Sequence, residues 1–387
     1  MTPSDTRDLR PTVLEVDLDA VVRNACTLAE TAGTPLLAVV KANAYGVGAL
    51  PVARALERAG AAFLGVALVE EGIQFRRAGL SCPILMLGPV QPDQVPALLH
   101  HDLVPSVYSV EFLRAVEAEA SRRGRTVGVH LKVDSGMGRV GFREEELPGL
   151  LAALGRCRNV ELEGVFSNLA SGDDPASPQN ASQTAAFLRM VEACRRAGFE
   201  PRWIHLANSA GLLAHPATRL TLCRPGLTLY GLRPSEAVPD PGLGLAVRLE
   251  TAVLQIKTLP PGTPVGYGAT YVTDGPRRVG ILPVGYGDGL PRSLGNVGHV
   301  LVGGAPCAIL GRVSMDLTAV DLEPAWPVAP GQRVLLWGEE GTRKITPWDW
   351  ARWSGTIPYE ILTGISCRVA RRYVENGRSW TEVGILR

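Results

Sequence analysis

What the chain lacks narrows its partners before any motif is read. No block of basic side chains occurs along the 387 residues, and 39 Lys and Arg stand against 38 Asp and Glu for a formal charge of +1. A surface without a cationic stripe has no means of following a phosphate backbone or an anionic bilayer, so neither nucleic acid nor membrane is expected as a partner, and a small molecule is favoured. No apolar stretch reaches the ~18 residues of a membrane span. The amino terminus (MTPSDTRDLRPT) is polar, without the apolar centre of a signal peptide. A soluble, cytoplasmic protein is expected. The seven cysteines (Cys26, Cys82, Cys157, Cys194, Cys223, Cys307, Cys367) lie far apart. None of the short spacings of a zinc site or a redox pair occurs, so no metal and reduced, mostly buried thiols are expected.

What is present is the material of a large core. Hydrophobic residues make up 46% and charged residues 20%, which rules out global disorder. At roughly 100–200 residues per domain the length suggests two or three units, or one barrel of about 250 residues with a smaller partner. From about residue 36 to residue 232, short β-branched or Leu-rich runs alternate with longer amphipathic stretches, the pattern of repeated strand–helix units. Eight strands are predicted: Leu36–Lys41, Phe63–Ala67, Pro83–Leu87, Leu103–Val107, Val127–Val133, Val160–Ser167, Trp203–Leu206 and Leu220–Cys223. Helices are legible between them at Pro51–Ala59, Val110–Arg123 and Thr184–Ala197, the last ended by Gly198. Eight such units suggest an α/β fold with a closed (β/α)8 barrel. An open doubly wound sheet would show fewer strands and a Gly-x-Gly-x-x-Gly after the first, which this first strand lacks.

The periodicity stops in the Pro- and Gly-rich stretch Arg233–Gly244, and alternating strands follow at Val247–Leu259, Val279–Val284 and Val334–Trp337. The expected domains are therefore a barrel over 12–238 and a mostly β domain over 239–387, with the early strand (Val13–Val16, about 12–18) available to pair with the second domain.

Barrels of this kind carry their reactive groups where strands end at the C-terminal face. The first strand runs through Val39-Val40 straight into Lys41, then Ala42-Asn43-Ala44-Tyr45-Gly46. A lysine closing a buried strand is hard to ionise, which leaves neutral, nucleophilic amine suited to Schiff-base chemistry; taken alone, it reads rather as a side chain that snorkels past the rim to water, and its neighbours decide otherwise. The fifth strand ends Lys132-Val133-Asp134-Ser135-Gly136-Met137-Gly138-Arg139, the seventh leads into His205-Leu206-Ala207-Asn208-Ser209, and the eighth ends Cys223-Arg224-Pro225-Gly226-Leu227. Loops after strands seven and eight are the customary barrel phosphate site, which Ser209 and N–H groups near Gly226 could fill. A reactive lysine beside a phosphate pocket points to pyridoxal 5'-phosphate as the cofactor.

On these residues the sequence resembles the alanine racemase family, fold-type III pyridoxal-phosphate enzymes, over nearly its whole length. The tract Val40-Lys41-Ala42-Asn43-Ala44-Tyr45-Gly46 is similar to the family's cofactor-lysine motif. The resemblance implies that Lys41 carries the cofactor covalently and that Tyr45 helps hold its phosphate. It places Arg139 near the cofactor's phenolic oxygen and the substrate carboxylate, and Arg224 opposite the pyridine nitrogen. Asn208, Ser209, Gly226 and Leu227 match phosphate-binding segments, and Lys132 falls where many members carry a carbamylated lysine that positions the arginine. In the second domain, Val265-Gly266-Tyr267-Gly268-Ala269-Thr270-Tyr271 is similar to the segment of the second catalytic base, Tyr267. Three further segments imply that the Met315 backbone contacts the substrate carboxylate, Tyr359 the phosphate, and Tyr286 the substrate access.

The resemblance implies a racemase that supplies D-alanine for peptidoglycan. Removing an α-proton from one face and returning one to the other is awkward for a single base, so Lys41 and Tyr267 would work from opposite sides, Tyr267 being supplied by the partner in a homodimer. A phenol of ordinary pKa near 10 is a poor base and needs cationic help, which the sequence does not identify. A guanidinium opposite the ring nitrogen donates a hydrogen bond without surrendering a proton, which weakens electron withdrawal and disfavours transamination and elimination. Two positions depart from the common pattern: Val47 and Asn168 stand where relatives have histidine, and Asn168 can bond to Arg224 but carries no charge. Alternatives are a serine or broad-specificity racemase, and a decarboxylase or non-catalytic pyridoxal-phosphate protein of the same fold type.

Overall fold

The computed structural model describes residues 10–384. The chain forms two compact units. Among the described residues, one holds residues 10–20, the short stretch Tyr45–Gly48 and residues 245–384; the other holds Val21–Ala44 and Ala49–Gly244. Strand β1 (Val13–Asp17) belongs to the former.

The unit from Val21 to Gly244 is a parallel barrel. Strands β2 (Leu37–Val39), β3 (Phe63–Val66), β4 (Ile84–Met86) and β5 (Leu103–Val104) pair in that order, as do β6 (Ser106–Val107), β7 (Val127–Lys132), β8 (Val160–Phe166) and β9 (Trp203–His205). Pro105, which has no N–H to give, splits the single strand expected over Leu103–Val107. Its carbonyl still accepts the His130 N–H at 2.9 Å, joining the two halves. The expected eighth strand, Leu220–Cys223, is reduced to isolated bridges, Leu36 with Cys223 and Asn208 with Arg224. Thr221 N–H bonds to Ile204 O at 3.0 Å, Leu37 N–H to Cys223 O at 2.8 Å and Val39 N–H to Pro225 O at 2.9 Å. Those bonds close the barrel, the last of them at the Pro225 carbonyl. Strands β2, β3 and β4 are buried at every residue, as strands packed on both faces must be.

Between strands, the helix Val110–Arg122 is capped by Ser109 Oγ, which accepts the Phe112 N–H at 3.0 Å. The helix expected from Thr184 starts more than a turn earlier, at Gln179.

In the other unit the run expected as one strand over Val247–Leu259 is two, Val247–Ala252 and Gln255–Leu259, which take different neighbours. The sheet order is Gln255–Leu259, Arg277–Leu282, Thr318–Asp321, Ala305–Leu310, His299–Val302, Arg333–Glu340, Val247–Ala252, β1, Ala370–Glu375, Arg378–Glu382. The early strand β1 lies antiparallel to Val247–Ala252 and parallel to Ala370–Glu375. A separate ribbon of two short strands, Pro264–Val265 and Tyr271–Val272, holds Tyr267 in its connection. Among the described residues no helix is long and apolar enough to cross a membrane.

Candidate active site

Lys41 leaves the end of β2 into an unusual backbone. Ala42, Asn43 and Ala44 have φ/ψ of 53/52°, 54/45° and 52/51°, and Tyr45 has φ 59°. A left-handed helical turn costs L-residues roughly 1–2 kcal/mol each, so neighbouring groups must hold it. The Ala44 N–H closes onto Val40 O at 2.9 Å. Ala42 N–H donates to Glu71 Oε1 at 2.6 Å, while Glu71 Oε2 accepts from Ala67 and Leu68 at 2.8 and 3.1 Å. Asn43 Oδ1 accepts the Ala49 N–H at 2.8 Å. Burial pushes the Lys41 pKa down; Arg139 and Arg224 push the same way, and Glu71 opposes them. The neutral amine that covalent chemistry needs is therefore favoured.

Arg139 stands in a loop shaped by one carboxylate. Asp134 Oδ1 accepts from Gly136 and Met137 at 2.9 and 2.7 Å, and Oδ2 from Arg139 N–H at 3.0 Å. Partial burial raises the Asp134 pKa, but these three bonds hold it below the usual carboxylate value. Beside the loop, Lys132 is buried and its pKa is pushed down to about 7, by burial first and by Arg224 next. Its Nζ donates to Val133 O at 2.7 Å and lies 5.3 Å from the Phe166 ring centroid.

Arg224 is a buried guanidinium, with its pKa lowered to about 10 by desolvation. It donates to the carbonyls of His205 (2.6 Å), Ser167 (2.6 Å) and Leu206 (3.1 Å), to Asn168 Oδ1 (3.2 Å) and to His205 Nδ1 (3.0 Å). Asn168 therefore meets Arg224 as a neutral acceptor. Next to it, Ser209 Oγ accepts from Gly226 N–H and Thr228 Oγ1, both at 3.0 Å. An oxygen that already accepts two bonds directs its own O–H elsewhere. Asn208 Oδ1 caps the short helix Ser209–Ala214 by accepting the Gly211 N–H at 2.9 Å. Leu227 is buried at the start of the next turn.

The remaining candidates lie in the other unit. The rings of Tyr45 and Tyr359 are 6.0 Å apart, and burial followed by Tyr359 pushes the Tyr45 pKa up, which keeps that phenol a neutral donor. Tyr286 N–H bonds to Ser314 O at 3.0 Å and Gly287 N–H to Met315 O at 2.9 Å, so the Tyr286 loop and Met315 are held together. Tyr267 sits between Gly266 and Gly268, both with positive φ (72° and 76°). A Cβ on Gly268 would lie 2.7 Å from an Arg312 guanidinium nitrogen. The turn therefore depends on glycine for both its backbone and its close approach. Tyr267 is 72% exposed.

Sequence reasoning assigned no role to Glu71, His130 or His205. The signal was present for the histidines: each interrupts an otherwise apolar strand, Val127-Gly128-Val129-His130-Leu131 and Trp203-Ile204-His205-Leu206, and both are wholly buried. For Glu71, adjacent to Glu70 in a helix first turn, nothing local distinguishes it from an ordinary helix-start acid.

The donor set fits a phosphorylated pyridine aldehyde. It offers an amine of lowered pKa for the aldehyde, a hydroxyl and N–H cluster for the phosphate, and a buried guanidinium whose hydrogen bonds go to carbonyl, amide and imidazole groups for the ring. A parallel barrel with these groups at its strand ends, followed by a β domain, is the framework of a barrel-type pyridoxal-phosphate enzyme. The family model for the alanine racemase N-terminal domain matches residues 16–234, and that for the C-terminal domain matches 246–373. An alanine racemase of Symbiobacterium thermophilum is 43% identical over 371 residues, covering 95% of this chain and 98% of its own. The crystal structure of alanine racemase from Bacillus anthracis with bound L-Ala-P superposes with a TM-score of 0.90 at 35% identity, covering 97% of this chain and 98% of that one. The Bartonella henselae alanine racemase with covalently bound pyridoxal phosphate gives 0.85 at 31%, covering 94% and 99%. The chain belongs to the alanine racemase family, isomerases that use pyridoxal phosphate. Its activity is the racemisation of alanine.

Proposed function

We propose that Lys41 and Tyr267 are the two acid–base groups of this racemisation, one on each face of the substrate α-carbon, and that Tyr267 serves the barrel of a second copy of the chain. The observation that carries the reading is exposure. Tyr267 is 72% exposed, with Met315 at 53% and Tyr286 at 44%. Proton transfer needs a fixed setting from which water is excluded, so three reactive or binding groups left in water are half of a site that a two-fold partner completes.

Bound pyridoxal phosphate draws electrons from the α-carbon and so acidifies its proton. Lys41, with its pKa lowered by burial, takes or returns that proton on one face, and the Tyr267 hydroxyl does so on the other. Arg139, held by Asp134, binds the substrate carboxylate together with the Met315 backbone, and Tyr286 shapes the access. Arg224 would donate to the ring nitrogen yet keep its own proton, since about 10 is still well above neutral pH. Tyr45, Tyr359, Asn208, Ser209, Gly226 and Leu227 would hold the phosphate. Lys132 at about 7 is partly neutral near physiological pH, the form that can add carbon dioxide to become a carbamate and brace Arg139. The product D-alanine supplies peptidoglycan precursors in the cytoplasm, and seven free thiols fit a reducing compartment.

Mixing two dead variants tests the shared site. Lys41→Ala and Tyr267→Phe are each inactive alone. Co-expressed, half of the dimers are mixed, and each mixed dimer has one intact site of two, so activity returns to about a quarter of wild type. No recovery means that each chain uses its own tyrosine or that the pair is wrong.

A further inference from the structure

The hydrogen bonds around Arg224 run in one direction only. A guanidinium has donors and no acceptor, so His205 Nδ1, 3.0 Å from Arg224 Nη1, must offer its lone pair. Burial, then Arg224, His130 and Lys132, hold the His205 pKa well below the ordinary imidazole value. A neutral ring accepting at Nδ1 carries its proton on Nε2. That nitrogen lies 2.9 Å from His130 Nδ1, which must therefore accept. His130 is likewise neutral, with its pKa pushed down to about 3 by burial and Arg224, so its own proton is on Nε2. This last N–H is buried and meets no hydrogen-bond partner among the described residues.

We infer that His130 is a positioning residue for the racemase reaction: by accepting from His205 Nε2 it fixes the tautomer of His205 and thereby the aim of the Arg224 guanidinium. The inference rests on the reading of Arg224 as the partner of the cofactor ring nitrogen. The barrel is shaped for this histidine. The register between β7 and β8 shifts between Val129 and His130, a bulge of the kind that re-aims a side chain. Across from it is Gly164, where a Cβ would lie 2.5 Å from His130 Nδ1 and 2.7 Å from its Cε1. Phe63 meets the His130 ring edge-on at 5.5 Å, and Phe166 stacks on His205 at 4.9 Å with the planes 5° apart. A core residue serving only to fill space would be better as leucine, which needs no bulge and leaves no buried N–H unpaired. Without the acceptor at His130, His205 gains nothing from Nε2–H. Its other tautomer would aim an N–H at the guanidinium N–H, donor against donor, and Arg224 would turn away.

The test uses holoenzyme carrying 15N-histidine. In the wild type, His130 and His205 are expected as neutral Nε2–H tautomers that do not change from about pH 6 to about pH 9. His130→Leu removes the acceptor, and His130→Gln offers an amide oxygen in its place. The leucine variant is expected to lose about tenfold in kcat in both directions, or about 1.4 kcal/mol, with KM little changed. Its bound-cofactor absorption shifts, and the His205 signal moves toward Nδ1–H. The glutamine variant returns kcat to within about threefold and restores the wild-type tautomer of His205. A purely structural histidine would lower the melting temperature of the leucine variant and leave spectrum and tautomer alone. That result, or native His205 found as Nδ1–H, overturns the inference. Should the leucine variant not fold, the glutamine variant decides: a His205 tautomer that changes while kcat and the cofactor absorption stay at wild-type values overturns the inference, and a wild-type tautomer, kcat and absorption with the amide acceptor in place support it. If Arg224 does not serve the ring nitrogen, the tautomers stand but the cofactor spectrum ignores the leucine substitution, so the two failures are told apart.

Discussion

Lys41 and Tyr267 are treated in opposite ways by the same chain. Lys41 follows a fully buried strand, and the turn after it is bonded to Val40, Glu71 and Ala49 through backbone and side-chain groups. Tyr267 hangs in the connection of a ribbon whose strands are two residues each, and it is mostly in water. The barrel environment shifts the lysine's proton affinity by itself, so on the proposed reading that half of the chemistry is complete in one chain. The tyrosine is presented to something outside its own ribbon. On the same proposal, the residue to be tuned is enclosed and the one to be delivered is held out.

The sharpest way to break this contrast is to remove each partner. Lys41→Ala should lower racemisation by at least about 10⁴-fold, since both the covalent attachment and one acid–base group go. Chiral analysis of the product reads the rate, and borohydride reduction followed by peptide mapping should find no label at that position. Tyr267→Phe should cost about 10³-fold in both directions while the cofactor absorption remains. In heavy water this variant should still wash deuterium into one enantiomer without inverting it; equal loss of exchange and inversion would place the phenol outside proton transfer.

A milder change sharpens the enclosed side. Glu71→Gln replaces one of two accepting oxygens with an NH2 group that cannot accept from the amides it faces, so the left-handed turn loses part of its support. About a tenfold loss of kcat is expected. The substitution also deletes the charge that raises the Lys41 pKa against burial, Arg139 and Arg224. The acid limb of the kcat profile should therefore move to lower pH; an unmoved limb would separate Glu71 from the lysine's electrostatics.

The smallest effect concerns stability. Lys132 has a folded-state pKa near 7 and an unfolded value near 10.4. Between these pH values the unfolded chain holds a proton that the native chain does not, so stability should rise with pH across the window and be flat below it. Lys132→Met should remove that slope in urea melts. A wild-type protein with no slope, together with a carbamate signal after exposure to 13C-labelled carbon dioxide, would mean that the amine is capped and does not titrate.

Much of this was legible in the sequence because barrel chemistry collects at strand ends, and Lys41, Arg139, Ser209 and Arg224 each follow a recognisable apolar run. The missing parts are long-range or geometric. Leu220–Cys223 has a strand's composition, yet its neighbours meet it only in isolated bridges and single backbone bonds. The break at Val253–Leu254 hides inside a continuous alternating pattern because both halves are strands, only with different neighbours. The positive φ values at Ala42 and Ala44 contradict local preference, and support from Glu71, twenty-nine positions away from Ala42, leaves no trace in the local pattern. The chain from Arg224 through His205 to His130 joins three strand ends or interiors, so no window of sequence contains it.

The turn after Lys41 has a chemical corollary. Left-handed φ and ψ are the mirror image of the ordinary helical values, so they are the relaxed backbone state of an amino acid of opposite chirality. Ala42 and Ala44 hold L-alanine in the shape that D-alanine would adopt without strain. A semisynthetic protein carrying the enzyme's own product at those two positions should melt at a higher temperature than the natural one.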